Sequence, residues 1–159
     1  MAKTKPRSGC PVSRSLEIFG DRWSLLVVRD LMTRGYRTFK QFETSGEGIA
    51  TNILADRLNK LQLAGIISPE ADARDARRVN YRLTGKGIDL APALLELLIW
   101  GARHEATGAP CELIEGFARN REAVVAEARR RWQERDSTPL FNFAEDGKRK
   151  SASRRRQKT

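Results

Sequence analysis

Five residues on one stretch of the chain, Thr51, Asn52, Ala55, Asp56 and Asn59, are of types that can read the edges of base pairs. Hydroxyls and amides hydrogen-bond in the major groove, where Asn pairs well with adenine and small apolar groups meet the thymine methyl. Leu54, Leu58 and Leu61 recur between them at i, i+4 and i+7, so the leucines share the opposite face of a helix and bury it. This spacing predicts a helix from about Thr51 to Ala64, stopped by Gly65. Helices that enter the groove use their N-terminal turns, which is where Thr51, Asn52, Ala55 and Asp56 fall. Alone, the pattern also describes an ordinary solvated helix face.

The residues on either side of the helix change its meaning. Ile66-Ile67-Ser68 and Val79-Asn80-Tyr81-Arg82-Leu83 read as two short strands, the second alternating apolar and polar residues. The loop between them, from Pro69 to Arg78, carries Arg74, Arg77 and Arg78 on its returning side. Guanidinium groups grip phosphate oxygens bidentately and enter narrow minor grooves, although Asp72 and Asp75 partly neutralise this cluster. Before the helix, a shorter one over Thr38–Thr44 and a turn with Gly46 and Gly48 complete the order helix, turn, helix, β-wing. Arg37 and Lys40, at the start of the shorter helix, are further candidates for phosphate contact. The fold class expected is mainly α with a small β-wing, a winged helix-turn-helix that binds double-stranded DNA.

Other elements must hold this reading head. Pro11 at the first position of a helix places Cys10 at or beside its N-cap. Asp21 is suited to cap the next helix, in which Trp23, Leu26, Val27 and Leu31 supply core. From Ala93 to Trp100 only Glu96 is polar, and a helix apolar around most of its circumference must be covered on more than one side. In a small domain one cover is a second copy of the chain. Leu94, Leu95, Leu98 and Trp100 are therefore expected at a homodimer interface. Beyond Gly108-Ala109-Pro110, a helical extension is expected from Cys111 to Glu134, with Leu140-Phe141-Asn142-Phe143 anchoring its end.

The 159 residues carry 30 Lys and Arg against 20 Asp and Glu, a net charge of +10 that suits a polyanionic partner. Part of it sits in a terminal run, Lys148-Arg149-Lys150 and Arg154-Arg155-Arg156, without large apolar residues, expected to be disordered and to add salt-sensitive DNA affinity. The organisation expected is a basic arm over 1–9, a DNA-binding domain over 10–104, a helical extension over 105–143 and a basic tail over 144–159. No apolar run spans a membrane and no secretory signal is visible, so the cytoplasm is the expected location. One His, two Cys and no metal-ligand spacing argue against an enzyme, a metal site or a cofactor. Thr84-Gly85-Lys86-Gly87 has too few residues between its glycines for a phosphate-binding loop.

In order along the chain, Cys10-Pro11-Val12, Leu16-Glu17, Arg22-Trp23-Ser24-Leu25-Leu26 and Arg29-Asp30-Leu31 form the first half of a pattern. Arg37-Thr38-Phe39, Gly48-Ile49, Leu54-Ala55-Asp56-Arg57-Leu58, Gly65-Ile66-Ile67 and Tyr81-Arg82-Leu83-Thr84-Gly85-Lys86-Gly87 complete it. Over roughly 10–101 the sequence resembles the HxlR-type bacterial transcriptional regulators, winged helix proteins close to the MarR-type regulators. The serine that usually caps the second helix in that family is Ala50 here, with Thr51 the expected substitute. The resemblance implies a homodimer on an inverted-repeat operator, acting as repressor or activator. It also implies a role for Cys10 as a sensor of oxidants or electrophiles, a role some members of the family give a cysteine at this position; a small-molecule effector is the other option. The helix N-terminus and Arg14 one turn away suit that role, and the other reading of Cys10 is a small, inert, half-buried cap residue. The alternative reading is a winged helix that binds RNA or docks a protein without a specific operator.

Overall fold

A computed structural model describes residues 8–72, 75 and 78–141, which fall into two compact units. The first comprises residues up to Leu31 together with Tyr36–Gly87. It contains α1 (Pro11–Phe19), most of α2 (Ser24–Thr33), α3 (Phe39–Glu43), α4 (Thr51–Leu63), β1 (Ile67–Ala71), β2 (Val79–Leu83) and most of the short α5 (Gly85–Ile88). Asp21 starts α2 as its sequence position suggests. Its Oδ1 accepts from the backbone N–H groups of Trp23 and Ser24 at 2.9 and 2.8 Å, and the Ser24 hydroxyl donates to Oδ2 at 2.6 Å. Thr38 caps α3 in a reciprocal box with Gln41. Gly46 and Gly48, with φ of 89° and 73°, give the turn between α3 and α4 a left-handed path that side chains resist.

Val27, Val28, Leu31, Phe42, Ile49, Leu54, Leu58, Leu61, Ile66, Ile67 and Leu83 form the core of this unit. Trp23 and Leu26, expected in it, are only half-buried, while Val28 is fully enclosed. The wing is an antiparallel pair in which Ile67 faces Leu83 and Ala71 faces Val79. β1 thus runs past Pro69, where the sequence suggested that the loop begins. The reason is visible in the partner strand: Tyr81, opposite Pro69, sends its N–H the other way, to the Arg37 carbonyl at 2.7 Å. At such a position the missing proline N–H removes no bond from the β1–β2 ladder.

The second unit comprises Met32–Gly35 and the chain from Ile88 onward, with α6 (Ala91–His104), α7 (Cys111–Arg119) and α8 (Arg121–Gln133). The single helix expected from Cys111 to Glu134 is broken at Asn120, which ends α7 and begins α8. Its side-chain amide donates to the Gly116 carbonyl at 2.9 Å and its backbone N–H to the same oxygen at 3.1 Å. Asn competes with helical hydrogen bonding in this way. Ala91, Leu95 and Ile99 of α6, Ile114 of α7 and Ala128 of α8 are buried. Arg103 pairs with Glu115 and Arg121 with Glu96, tying α6 to its neighbours. The Leu140 N–H donates to the Thr33 carbonyl at 2.7 Å, and the Phe141 ring lies 5.1 Å from that of Phe117. These two residues anchor the end of the unit; Asn142, Phe143 and the basic tail lie outside the described residues.

Candidate nucleic-acid interface

On α4 the two faces divide as the leucine spacing requires. Leu54, Leu58 and Leu61 are at most 2% exposed, whereas Thr51, Asn52, Ala55, Asp56 and Asn59 all lie open to solvent. The five form one outward strip over the first three turns. The start of the helix differs from expectation. Ala50 is the N-cap and no side chain caps it; Thr51 is the first helical residue, where its hydroxyl cannot cap. That hydroxyl instead donates to Glu43 Oε1 of α3 at 3.1 Å.

Glu43 also holds Lys40, whose Nζ lies 2.7 Å from Oε2. These two hydrogen bonds, that from Lys40 first, keep the Glu43 carboxyl below its ordinary pKa. Arg37, a candidate for phosphate contact, has its guanidinium engaged within the chain. Its Nη1 donates to the Leu31 carbonyl at 2.8 Å and to the Tyr36 carbonyl at 2.7 Å. Burial first, then nearby Arg82, lower its pKa. Arg37 is a brace between the end of α2 and the wing, because its own carbonyl receives the Tyr81 N–H. Rings of Tyr36, Phe42 and Tyr81 pack behind it, with centroids 6.3 and 6.2 Å apart.

A second brace was not evident in the sequence. Asp21 Oδ2 takes Arg57 Nη1 and Lys60 Nζ of α4, each at 3.3 Å, while capping α2. Burial opposes the Asp21 charge, but hydrogen bonds from Ser24, Trp23 and Lys60 outweigh it and lower the pKa to about 2. Similarly, Arg29 reaches from α2 to Glu47 in the turn at 2.9 Å while its Nη2 meets the buried Asp30 at 2.8 Å. The clue available was the flank position of Arg57 and Lys60, between the leucine face and the open strip.

In the wing, Arg78 is 72% exposed along its side chain and lies 3.5 Å from Asp75, a loose surface pair. Asp72 is engaged by the Asn80 amide at 3.1 Å. Arg74 and Arg77 lie outside the described residues. The Thr84-Gly85-Lys86-Gly87 segment joins the end of β2 to the end of α4. The Thr84 hydroxyl donates toward the Gly65 carbonyl at 2.7 Å, and Lys86 Nζ donates to that of Ala64 at 2.7 Å.

An HxlR-like helix-turn-helix profile matches residues 18–108 of this chain. The chain belongs to the HxlR-like helix-turn-helix family. It is similar to an HTH-type transcriptional regulator from Synechocystis, 30% identical over 112 residues covering 70% of this chain and 82% of the relative. A regulator from Mycobacterium bovis is 38% identical over 93 residues, 58% of each chain. Among solved structures, the redox regulator HypR in its oxidised form is 28% identical with a TM-score of 0.56, covering 62% of this chain and all of that one. The winged helix fold and a place among regulators of transcription follow.

Two further features of this HxlR-like chain are apolar side chains left open on α6 and on α1. On α6, Leu97 and Trp100 are 52% and 57% exposed, and Ala93 and His104 continue their line one turn to either side. Leu94 and Leu98 are half-buried at its border, and Leu95, expected at an interface, belongs to the unit's own core. Leu97, not singled out from the sequence, is as open as Trp100, since a nearly all-apolar helix does not announce which side its own chain covers. On α1, no residue is buried, and Val12 and Leu16 lie open one turn apart. Cys10 is the N-cap of α1, exposed, with Pro11 following; Arg14 is engaged with Glu17 at 3.7 Å. Among the described residues no helix is long and apolar enough to cross a membrane.

Proposed function

We propose that this protein is a cytoplasmic homodimer that regulates transcription, as repressor or activator, by binding an inverted-repeat operator in duplex DNA. The observation that carries the reading is the open strip Thr51, Asn52, Ala55, Asp56 and Asn59 on a helix whose other face is buried. Thr51, Asn52, Ala55, Asp56 and Asn59 read bases, while Lys40 and the wing arginines Arg74, Arg77 and Arg78 contact phosphate or the minor groove. Two such helices in a dimer meet half-sites about one duplex turn, roughly 34 Å, apart. The test is selection of bound genomic fragments by the purified protein at near-physiological salt, with structured RNA as competitor. A recurrent inverted repeat is the expected result. Equal, salt-sensitive binding to all duplexes, or preference for the RNA, would overturn the reading.

Dimerisation is supported by the uncovered apolar line on α6, with Val12 and Leu16 of α1 as a second uncovered pair. Response to oxidants or electrophiles is supported by an exposed thiol at a helix N-cap and by likeness to a protein described as a redox regulator. Cys10→Ser is accordingly expected to bind the operator as tightly as the parent protein. Diamide or a quinone should weaken binding by the parent and leave the variant unaffected, as read by gel shift. A variant that still responds removes Cys10 from the sensing role.

A further inference from the structure

The carboxylate of Glu43 sits where a DNA-binding surface has least use for negative charge. It ends α3 beside the leading turn of α4, and it occupies Lys40 and Thr51 together, at 2.7 and 3.1 Å. Both partners are residues through which the chain would touch DNA, one by phosphate and one by base. Neither usual reason for a surface carboxylate explains the placement. A negative charge near a helix's C-terminal end is opposed by the helix dipole, and an ion pair whose lysine is 79% exposed contributes little to stability.

Resting on the DNA-binding reading above, we propose that Glu43 is a specificity-determining residue, which withholds Lys40 and Thr51 from DNA that offers phosphates but not the right bases. Duplex DNA carries a negative charge for about every 1.7 Å of its axis, and charges interact over about 8 Å at physiological salt. On an arbitrary duplex, Lys40 reaches a phosphate only by leaving Glu43, and the carboxylate is then left facing the backbone uncompensated. On the operator, base contacts from Asn52, Ala55 and their neighbours hold α4 in one register, in which Lys40 meets its phosphate with Glu43 turned from the backbone; an arbitrary duplex holds no such register. The loss therefore falls mainly on nonspecific binding, and the ratio between the two rises. A penalty against wrong partners serves selectivity as well as a gain on the right one.

Glu43→Gln tests this, because glutamine keeps one oxygen to accept from Thr51 and puts an NH2 donor where the oxygen that holds Lys40 stood, so the charge is lost and Lys40 is released. Affinity for the selected operator and for a scrambled duplex would be measured between about 50 and 200 mM salt, in the full-length protein and in a Lys40→Gln background. Thermal unfolding checks that each variant is folded. The expected result is roughly three- to tenfold tighter binding of the scrambled duplex with a salt slope steeper by about one. Operator affinity should gain much less, and the effect should shrink when Lys40 is also replaced. Equal gains on both duplexes, no gain, or a gain undiminished by Lys40→Gln would overturn the proposal while leaving the DNA reading intact. A parent protein that prefers no duplex would instead remove the DNA reading, and this proposal with it.

Discussion

Leu97→Glu combined with Trp100→Glu should convert the protein to monomers and weaken operator binding by about a hundredfold or more. Both side chains are more than half exposed in the isolated chain, so their replacement removes little of its own core. Exposed substitutions of this kind shift stability by about 0.5 kcal/mol. In the dimer, the same positions would bring two carboxylates per subunit into a contact that excludes water, which is costly unless each is paired. Operator affinity falls because the second half-site is no longer bound intramolecularly. Effective concentrations for linked modules are commonly millimolar, so linkage strengthens binding by roughly a hundred- to ten-thousandfold. Sedimentation or light scattering reads the oligomer, and binding is measured at matched salt. Leu95→Ala provides the contrast. At 6% exposure its leucine belongs to the unit's core, and truncation should cost about 2–5 kcal/mol in unfolding free energy. A folded double variant that stays dimeric would move the interface elsewhere, with Val12 and Leu16 of α1 the next surface to test.

The reading head was legible because its signals are local. Three leucines at helical spacing, Gly65 with its φ of 68° and an alternating strand through Leu83 specify α4 and the wing with little need of the remaining chain. What escaped depends on partners distant in sequence. Arg37 reads in the sequence as a candidate for phosphate contact, and nothing there points to the Leu31 and Tyr36 carbonyls against its guanidinium. Asp21 is legible as a cap, but its grip on Arg57 and Lys60 spans more than thirty residues. Thr51 could replace the missing serine of the family pattern in composition but not in position, since the hydroxyl falls one residue late. On α6, α7 and α8 pack against the helix, and Leu95, expected at an interface, is buried with Ile99. Assigning individual leucines to sides needed the packing itself.

Gly87→Ala is the substitution that tests how the wing is joined to the reading helix. A Cβ there would stand 2.2 Å from the Ile66 carbonyl oxygen and 3.0 Å from Leu83 Cδ2. The backbone oxygen cannot simply rotate away, because it accepts from the Thr84 N–H at 3.0 Å and lies 3.2 Å from the Thr84 hydroxyl. That hydroxyl in turn accepts from the Gly87 N–H at 3.1 Å. Relief of the overlap must shift the end of β2, or α5, and stretch this cluster. Overpacking costs about 1–3 kcal/mol, and each weakened hydrogen bond adds about 0.5–1.5 kcal/mol. A loss of about 2–4 kcal/mol is therefore expected in denaturant unfolding, with operator binding weakened because the wing moves relative to α4. Gly85→Ala is the matched control. Nothing lies within 4 Å of its Cβ position and its φ is not in the left-handed region. The same added methyl there should be neutral or stabilise by about 0.4–1 kcal/mol, through a less flexible unfolded chain. Two glycines separated only by Lys86 thus predict effects of opposite sign. Equal stability of the two variants would mean that β2 and α4 are not joined through Thr84 and Gly87, and the wing's position would need another cause.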